Sequence, residues 1–281
     1  MIETTISPPP HDGINIWILK TAHTCRRAGM APDEAIKTIY SFNGNLRRPF
    51  NHGEVERAVS HAYTIKVDAG KRKPSPPKWC QAFTNDLFAK SGYTRNDMAL
   101  DSPVIVGEHL RQAEILESLF PADALVCVGR TKNSGYRVGT LAELGDCQRD
   151  QFIVPCMMKK REGKNQNGLP SKRCLDNTGN RLYIVCDFDS PPPEHHAAIA
   201  RHLAQFRPMA LALYSGGKSL HAWYQVTGNK REDELFFNLC VRCGADPALA
   251  VPCQFVRLPL GLRDGRILQE VYHFNPEAAT R

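Results

Sequence analysis

Leu182-Tyr-Ile-Val-Cys-Asp-Phe-Asp189 is the stretch on which the reading of this chain turns. Its first five residues are mostly apolar and suit a pleated, buried strand. The strand ends by presenting two carboxylates, Asp187 and Asp189. Side chains two apart on a strand point to the same side of the sheet, so both can reach one point. Two anions on one face of an apolar strand repel each other, and burying them is unfavourable unless a cation sits between them. A divalent metal is the simplest such cation, and ligation by oxygen alone favours magnesium or manganese. The same residues also fit a plain strand end, with Asp187 closing the strand and Asp189 opening the turn into Ser190-Pro-Pro-Pro193.

Downstream, Pro208-Met-Ala-Leu-Ala-Leu-Tyr214 reads as a second buried strand and runs into Ser215-Gly-Gly-Lys-Ser-Leu-His-Ala-Trp-Tyr224. Ser215, Gly216 and Gly217 at a strand end give a tight turn whose backbone N–H groups can face an anion. Lys218 adds a point charge, and His221 opens the next strand. A Walker A loop needs four residues between its glycines, then Lys-Ser and a helix, so this is a hairpin with polar groups at its tip. Asp246 follows, eleven residues ahead of Arg257 in Gln254-Phe-Val-Arg-Leu-Pro259. A strand bearing an arginine ahead of a Pro-led turn can offer a guanidinium to a phosphate. Gly265 to Phe274 reads as a closing strand. Ser190 reads as the cap of a helix reaching Phe206, with His195 and His196 on its surface.

These residues resemble the archaeo-eukaryotic primase superfamily, most closely the primase–polymerase branch, with its RepB-like primases, of phages, plasmids and other mobile elements. The family shows an apolar strand ending in acid-x-acid, matched by Asp187-Phe-Asp189. It shows a serine–histidine hairpin, matched by Ser215-Gly-Gly-Lys-Ser-Leu-His221, and a later acid upstream of an Arg-Leu-Pro strand, matched by Asp246 and Arg257-Leu-Pro259. Asp264 and Glu270 are rivals for the third acid. The resemblance implies an α+β catalytic domain over residues 100–281, with an RRM-like core and a mixed or antiparallel sheet. It implies a DNA primase or primase–polymerase working by two-metal nucleotidyl transfer on single-stranded DNA and nucleoside triphosphates. Asp187, Asp189 and Asp246 would then hold two ions of magnesium or manganese. Ser215, Gly216, Gly217, Lys218 and His221 would cradle the triphosphate, and Arg257 would bind phosphate. An end-extending or repair polymerase of the same fold would carry the same residues. A catalytically silent replication-initiation or DNA-binding protein on this fold is the other alternative, and retention of Asp187, Asp189 and His221 argues against it. No helicase motif is present, so a replicative helicase would be a separate partner.

Upstream, Gly13 to Tyr63 reads as three short helices, with Ile14, Ile16, Trp17, Leu19 and Ala22 on one face, Pro32 starting the second and Asn51 capping the third. This small bundle, residues 10–66, resembles the helical primase C-terminal module, although that module usually follows the catalytic domain. Residues 67–99 read as linker and connecting segment, because Asp68 to Lys78 is basic and Pro-rich. Val106 to Leu119 carries helical periodicity. Ala124–Gly129 and Gln151–Pro155 read as strands. Between Met158 and Arg181 lies a long polar segment with Lys159, Lys160, Arg161, Lys172 and Arg173. A connection of that length is functional or mobile, and it reads here as a basic loop or hairpin that can follow the template. Tyr183, Trp223 and Tyr224 can stack bases or fill the core.

The net charge of +7 makes a polyanionic partner plausible. Ten cysteines in 281 residues make no disulfide scaffold. With no leader and no membrane-length apolar run, they point to a reducing, cytoplasmic setting and no membrane. Cys240-Val-Arg-Cys243 is the one CxxC, with Cys253 as a conceivable third ligand. Two cysteines on a helix ending at Gly244 explain it as well.

Overall fold

A computed structural model describes residues 14–42, 50, 52–64 and 77–279, and divides the chain into two compact units, 1–74 and 75–281. The first unit contains helices Ile14–Arg27, Pro32–Tyr40 and His52–Thr64. Ile18, Ala22 and Cys25 share one helical face and are buried against Ala35, Ile39, Val55 and Val59. Trp17 and Leu19, expected on that face, are half-buried at its border, and Trp17 stacks on Phe50 at 5.8 Å. Asn51 and the joint as far as residue 76 lie outside the described residues, as do the side chains of Ile14 and Ile16.

The second unit is α+β, and its sheets are antiparallel throughout. Its two larger sheets use eight strands: β1 (Val126–Gly129), β2 (Tyr136–Gly139), β3 (Phe152–Ile153), β4 (Tyr183–Asp187), β5 (Met209–Tyr214), β6 (Leu220–Gln225), β7 (Val256–Arg257) and β8 (Val271–Phe274). The first sheet has the order β7-β3-β1-β2 and the second β8-β5-β6-β4. Both β4 and β5 pair antiparallel with β6. They therefore run parallel to each other around it, joined through helix His196–Ala204 in a split β-α-β unit.

Alternation along the strands sorts the core. Tyr183, Val185, Leu211, Leu213 and Trp223 face a core shared with Val128, Ile153 and Val256 of the first sheet. Ile184, Cys186, Ala212, Ala222 and Tyr224 face the helices on the other side. Tyr183, Trp223 and Tyr224 are thus core residues and offer no base-stacking surface. Among the described residues no helix is long and apolar enough to cross a membrane.

Several local expectations are corrected. The segment read as a connection holds helices Gln81–Ser91 and Arg95–Leu100. Tyr93 and Met98 join the core beneath them, and Phe88 stacks on His195 at 4.4 Å. The helix expected from Val106 begins only at Gln112, because Gly107 sits at φ +135°, outside helical space. Ser190 caps nothing: a 3₁₀ turn, Pro193–His195, precedes helix His196–Ala204. His196 is buried, with its Nε2 2.9 Å from the Pro191 carbonyl oxygen. The expected closing strand is broken, since Leu262–Arg263 and Ile267–Leu268 form their own hairpin around Asp264-Gly265, both at positive φ.

Candidate active site

The second sheet supplies one side of a cleft of about 690 Å³. Asp187 ends β4 and stands directly across the ladder from His221 of β6. By alternation both share the face of Val185 and Trp223, and Asp189 falls on that face two residues later. All three line the cleft. Asp187 Oδ1 is sealed from solvent and lies 3.4 Å from His221 Nε2. That contact misses hydrogen-bond geometry, so Oδ1 has no partner among the described residues, and neither has His221 Nδ1. Burial pushes the His221 imidazole below its ordinary pKa, more than Asp187 pulls it up, so the ring is neutral at pH 7.

Asp246 arrives by a different route. Helix Lys230–Arg242 ends in Cys243 and turns at Gly244, φ +97°. A side chain there would meet Pro191 at 2.5 Å. The turn lays Ala245 against Phe188 and lets the Asp246 N–H donate to the Asp187 carbonyl at 2.8 Å. The Asp246 carboxylate accepts from Ala248 N–H at 2.9 Å and lines the cleft. The rival acids do not line it: Asp264 pairs with Arg263 at 3.5 Å, and Glu270 accepts from the Tyr272 hydroxyl at 2.9 Å. Cys240 and Cys243 are buried where that helix ends.

The Ser215–Ser219 turn closes on itself. Ser215 N–H donates to the Ser219 carbonyl at 2.9 Å, and the two hydroxyls meet at 3.0 Å. Gly216, Gly217 and Lys218 donate no backbone hydrogen bond among the described residues. Lys218 reaches back to Asp189, its Nζ 3.6 Å from Oδ1. One residue that sequence reasoning missed is Arg263, from the 262–268 hairpin. Its side chain lies on this turn, so that a Cβ on Gly217 would overlap the guanidinium. Ser215, Gly217, Lys218 and Arg263 line the cleft, and Gly216 lies beneath the same hairpin.

On the first sheet, Arg257 of β7 is half-buried and lies over the Phe152 ring at 4.6 Å. Burial, and then the positive charge of Arg263, push its pKa below the ordinary arginine value. Two like charges sharing one cleft leave room for an anion to offset their repulsion. Five cations, Lys132, Arg173, Lys218, Arg257 and Arg263, line the cleft with three carboxylates.

The chain matches no family model, no curated protein and no solved structure. Among the described residues no three His, Cys, Asp or Glu side chains are grouped closely enough to hold a metal ion. The donor set is nonetheless right in kind for a hard divalent cation. Three carboxylates share one cleft, and one of them carries a buried oxygen without a partner, an arrangement unfavourable until a cation neutralises it.

The basic segment is ordered, not loose. Buried Asn177 donates to the Lys172 carbonyl at 2.8 Å and accepts from Cys174 N–H at 3.0 Å. Gly163–Lys164 pairs with Pro170–Ser171. Of its expected nucleic-acid contacts, Lys160 is held by Asp176 at 2.8 Å and Arg161 by Glu143 at 2.7 Å. Lys159 and Lys172 are exposed away from the cleft, and Arg173 alone of the five lines it.

Proposed function

We propose that the second unit is a DNA primase–polymerase of the archaeo-eukaryotic type, joining nucleotides along single-stranded DNA. The observation that carries this reading is convergence. Asp187, Asp189, the Ser215–Lys218 turn, His221, Asp246 and Arg257 come from dispersed parts of the chain and meet at one cleft. The split β-α-β unit that positions Asp187 and His221 is compatible with an RRM-like core.

In this reading Asp187, Asp189 and Asp246 would hold two divalent ions, magnesium or manganese. Such ions, when bound, activate a 3′-hydroxyl and neutralise charge on the departing pyrophosphate. Lys218, Arg257 and Arg263 grip the triphosphate, the arginines presenting paired N–H donors to phosphate oxygens. The amides of Gly216, Gly217 and Lys218 add a small backbone anion site. Neutral His221 packs against Asp187 and fixes its position. Catalysis comes mainly from positioning and charge neutralisation. The first unit, read as a helical module accompanying the catalytic unit, contributes none of these residues.

The test is incubation with a primer-free single-stranded template, labelled nucleotides and manganese. We expect metal-dependent product that is lost in the Asp187→Asn/Asp189→Asn variant. De novo dinucleotides assign priming, while product only from a primed template assigns end extension. Folded protein that binds DNA but incorporates nothing on either template is a silent initiation protein, and the proposal fails.

A further inference from the structure

Across the first sheet, Tyr136, Gly129, Phe152 and Arg257 are successive register partners, so they stand side by side on one face. The glycine leaves a gap in that row. The Phe255 ring fills it so closely that a Cβ on Gly129 would meet the ring at 2.6 Å. Phe255 stacks on Phe152 with centroids 5.5 Å apart, and Tyr136 meets Phe255 edge-on at 5.3 Å. Arg173 then lies over Phe255 at 4.5 Å and over Tyr136 at 5.3 Å. The result is a run of contacts from Arg173 through Phe255 and Phe152 to Arg257, in which each guanidinium has its own ring.

Arg173 differs from the cations around it. Lys160, Arg161 and Arg137 are paired with Asp176, Glu143 and Asp150. Arg173 has no carboxylate partner among the described residues. Among the described residues its guanidinium donates only to the carbonyls of Cys253 at 3.2 Å and Lys132 at 3.4 Å, and its buried Nε finds no acceptor. The contact to Lys132 pins the β1–β2 hairpin tip, which Tyr136 also holds by donating to the same carbonyl at 2.6 Å. Lys132 and Asn133 at that tip line the cleft with Arg173. A guanidinium held over an aromatic ring still has N–H donors to offer an acceptor such as a phosphate oxygen.

We propose that Arg173, Lys132 and Asn133 form a subsite for the sugar-phosphate backbone of single-stranded DNA, with Phe255 seated in the Gly129 gap as the platform that fixes Arg173. The subsite rests on the primase–polymerase reading for its place in catalysis, and it names where the template strand runs. It borders the first sheet through Phe255 and the β1–β2 tip, and shares the cleft with the Ser215–Lys218 turn assigned to the triphosphate. Arg257, on its own ring at the other end of the run, faces the nucleotide side.

The experiment is fluorescence anisotropy of the full chain with a labelled oligothymidylate, without nucleotide or divalent metal, over a series of salt concentrations. For single strands, the slope of log affinity against log salt falls by about 0.7 per lost phosphate contact. We expect Arg173→Ala to bind on the order of tenfold more weakly with a slope shallower by about 0.7, and Arg173→Ala/Lys132→Ala by about twice that. Arg173→Lys should keep the slope and lose only part of the affinity. Phe255→Leu, which keeps every charge, should also keep the slope while weakening binding, and circular dichroism melts confirm that each variant is folded. Unchanged affinity and slope in the double variant, or wild-type protein that does not bind the strand, overturns the subsite. Incorporation assays separate the two proposals. Strand binding with these slopes but no incorporation removes the primase–polymerase reading and keeps the subsite. Normal incorporation with an unaffected double variant does the reverse.

Discussion

Asp187 and His221 face each other across the β4–β6 ladder at 3.4 Å, and each carries a buried polar atom that no hydrogen bond among the described residues satisfies. A neutral imidazole offers little compensation to the one carboxylate oxygen of Asp187 that is sealed from solvent, so the anion is disfavoured at this position. Stability and activity should therefore part company in Asp187→Asn. We expect a thermal midpoint equal to or above that of the wild type, and nucleotide incorporation lower by roughly a hundredfold or more. Differential scanning calorimetry beside the incorporation assay measures both. A variant that loses stability as well as activity would mean that the carboxylate is satisfied within the fold.

Gly217 is required by its neighbour more than by its backbone. A methyl group there overlaps the end of the Arg263 side chain, which is long enough to move aside. We expect Gly217→Ala to change stability by less than about 1 kcal/mol while raising the KM for nucleotide several-fold. Gly216→Ala tests the contrasting case, because Gly216 sits at φ +72°. An alanine there should destabilise by about 1 kcal/mol or more. Urea titrations and steady-state kinetics of the two variants distinguish displacement of an arginine from strain in the turn.

The positive charge of Arg263 disfavours the Arg257 guanidinium in the same cleft, so a polyphosphate that bridges them should stabilise the fold. Inorganic triphosphate at a hundredfold excess over its Kd should add about 2.7 kcal/mol. That corresponds to roughly 5–10 °C in a unit of this size. The shift should shrink with added salt and largely vanish in Arg257→Gln/Arg263→Gln. The absence of any shift at millimolar triphosphate would remove the anion site from the cleft.

The residues legible in the sequence are those marked by short-range pattern. An apolar run ending in acid-x-acid locates Asp187 and Asp189. A Ser-Gly-Gly-Lys turn between two apolar runs locates Ser215 to His221. Spacing alone ranked Asp246 above Asp264 and Glu270, and the helix end at Gly244 brings it beside Asp187. What stayed hidden depends on packing between distant segments. Arg263 reaches the cleft only because its hairpin folds over Gly217, although the Asp264-Gly265 pair signalled a turn there. Arg173 was visible as one of five basic residues, but which of them would lack a carboxylate depended on where Asp176 and Glu143 fell. The apolar residues of helix Gln81–Ser91 mark no clear face in the sequence, and Phe83 is partly exposed. The burial of His196 is hidden because helix periodicity alone cannot show that Pro191 and Phe188 fold over it.

Burial of histidines gives the fold a defined response to mild acid. His221, His196 and His273 each have their pKa pushed down mainly by burial. The unfolded chain, with histidine near pH 6.5, therefore binds protons that the folded chain refuses. Their contribution is fully present above about pH 6.5 and is lost as the pH falls below it towards the lowered folded values. Each histidine should steepen the loss by up to about 1.4 kcal/mol per pH unit. Urea unfolding at pH 7.5, 6.5 and 5.5 should show a progressive decline in stability. The interval lies above the ordinary carboxylate range, so the decline reports the histidines. His221→Gln removes one of these protons and should flatten the profile by one histidine's share. A flat wild-type profile over this interval would mean that the buried rings take up protons as readily as in the unfolded chain, and burial would not then keep His221 neutral below its ordinary pKa.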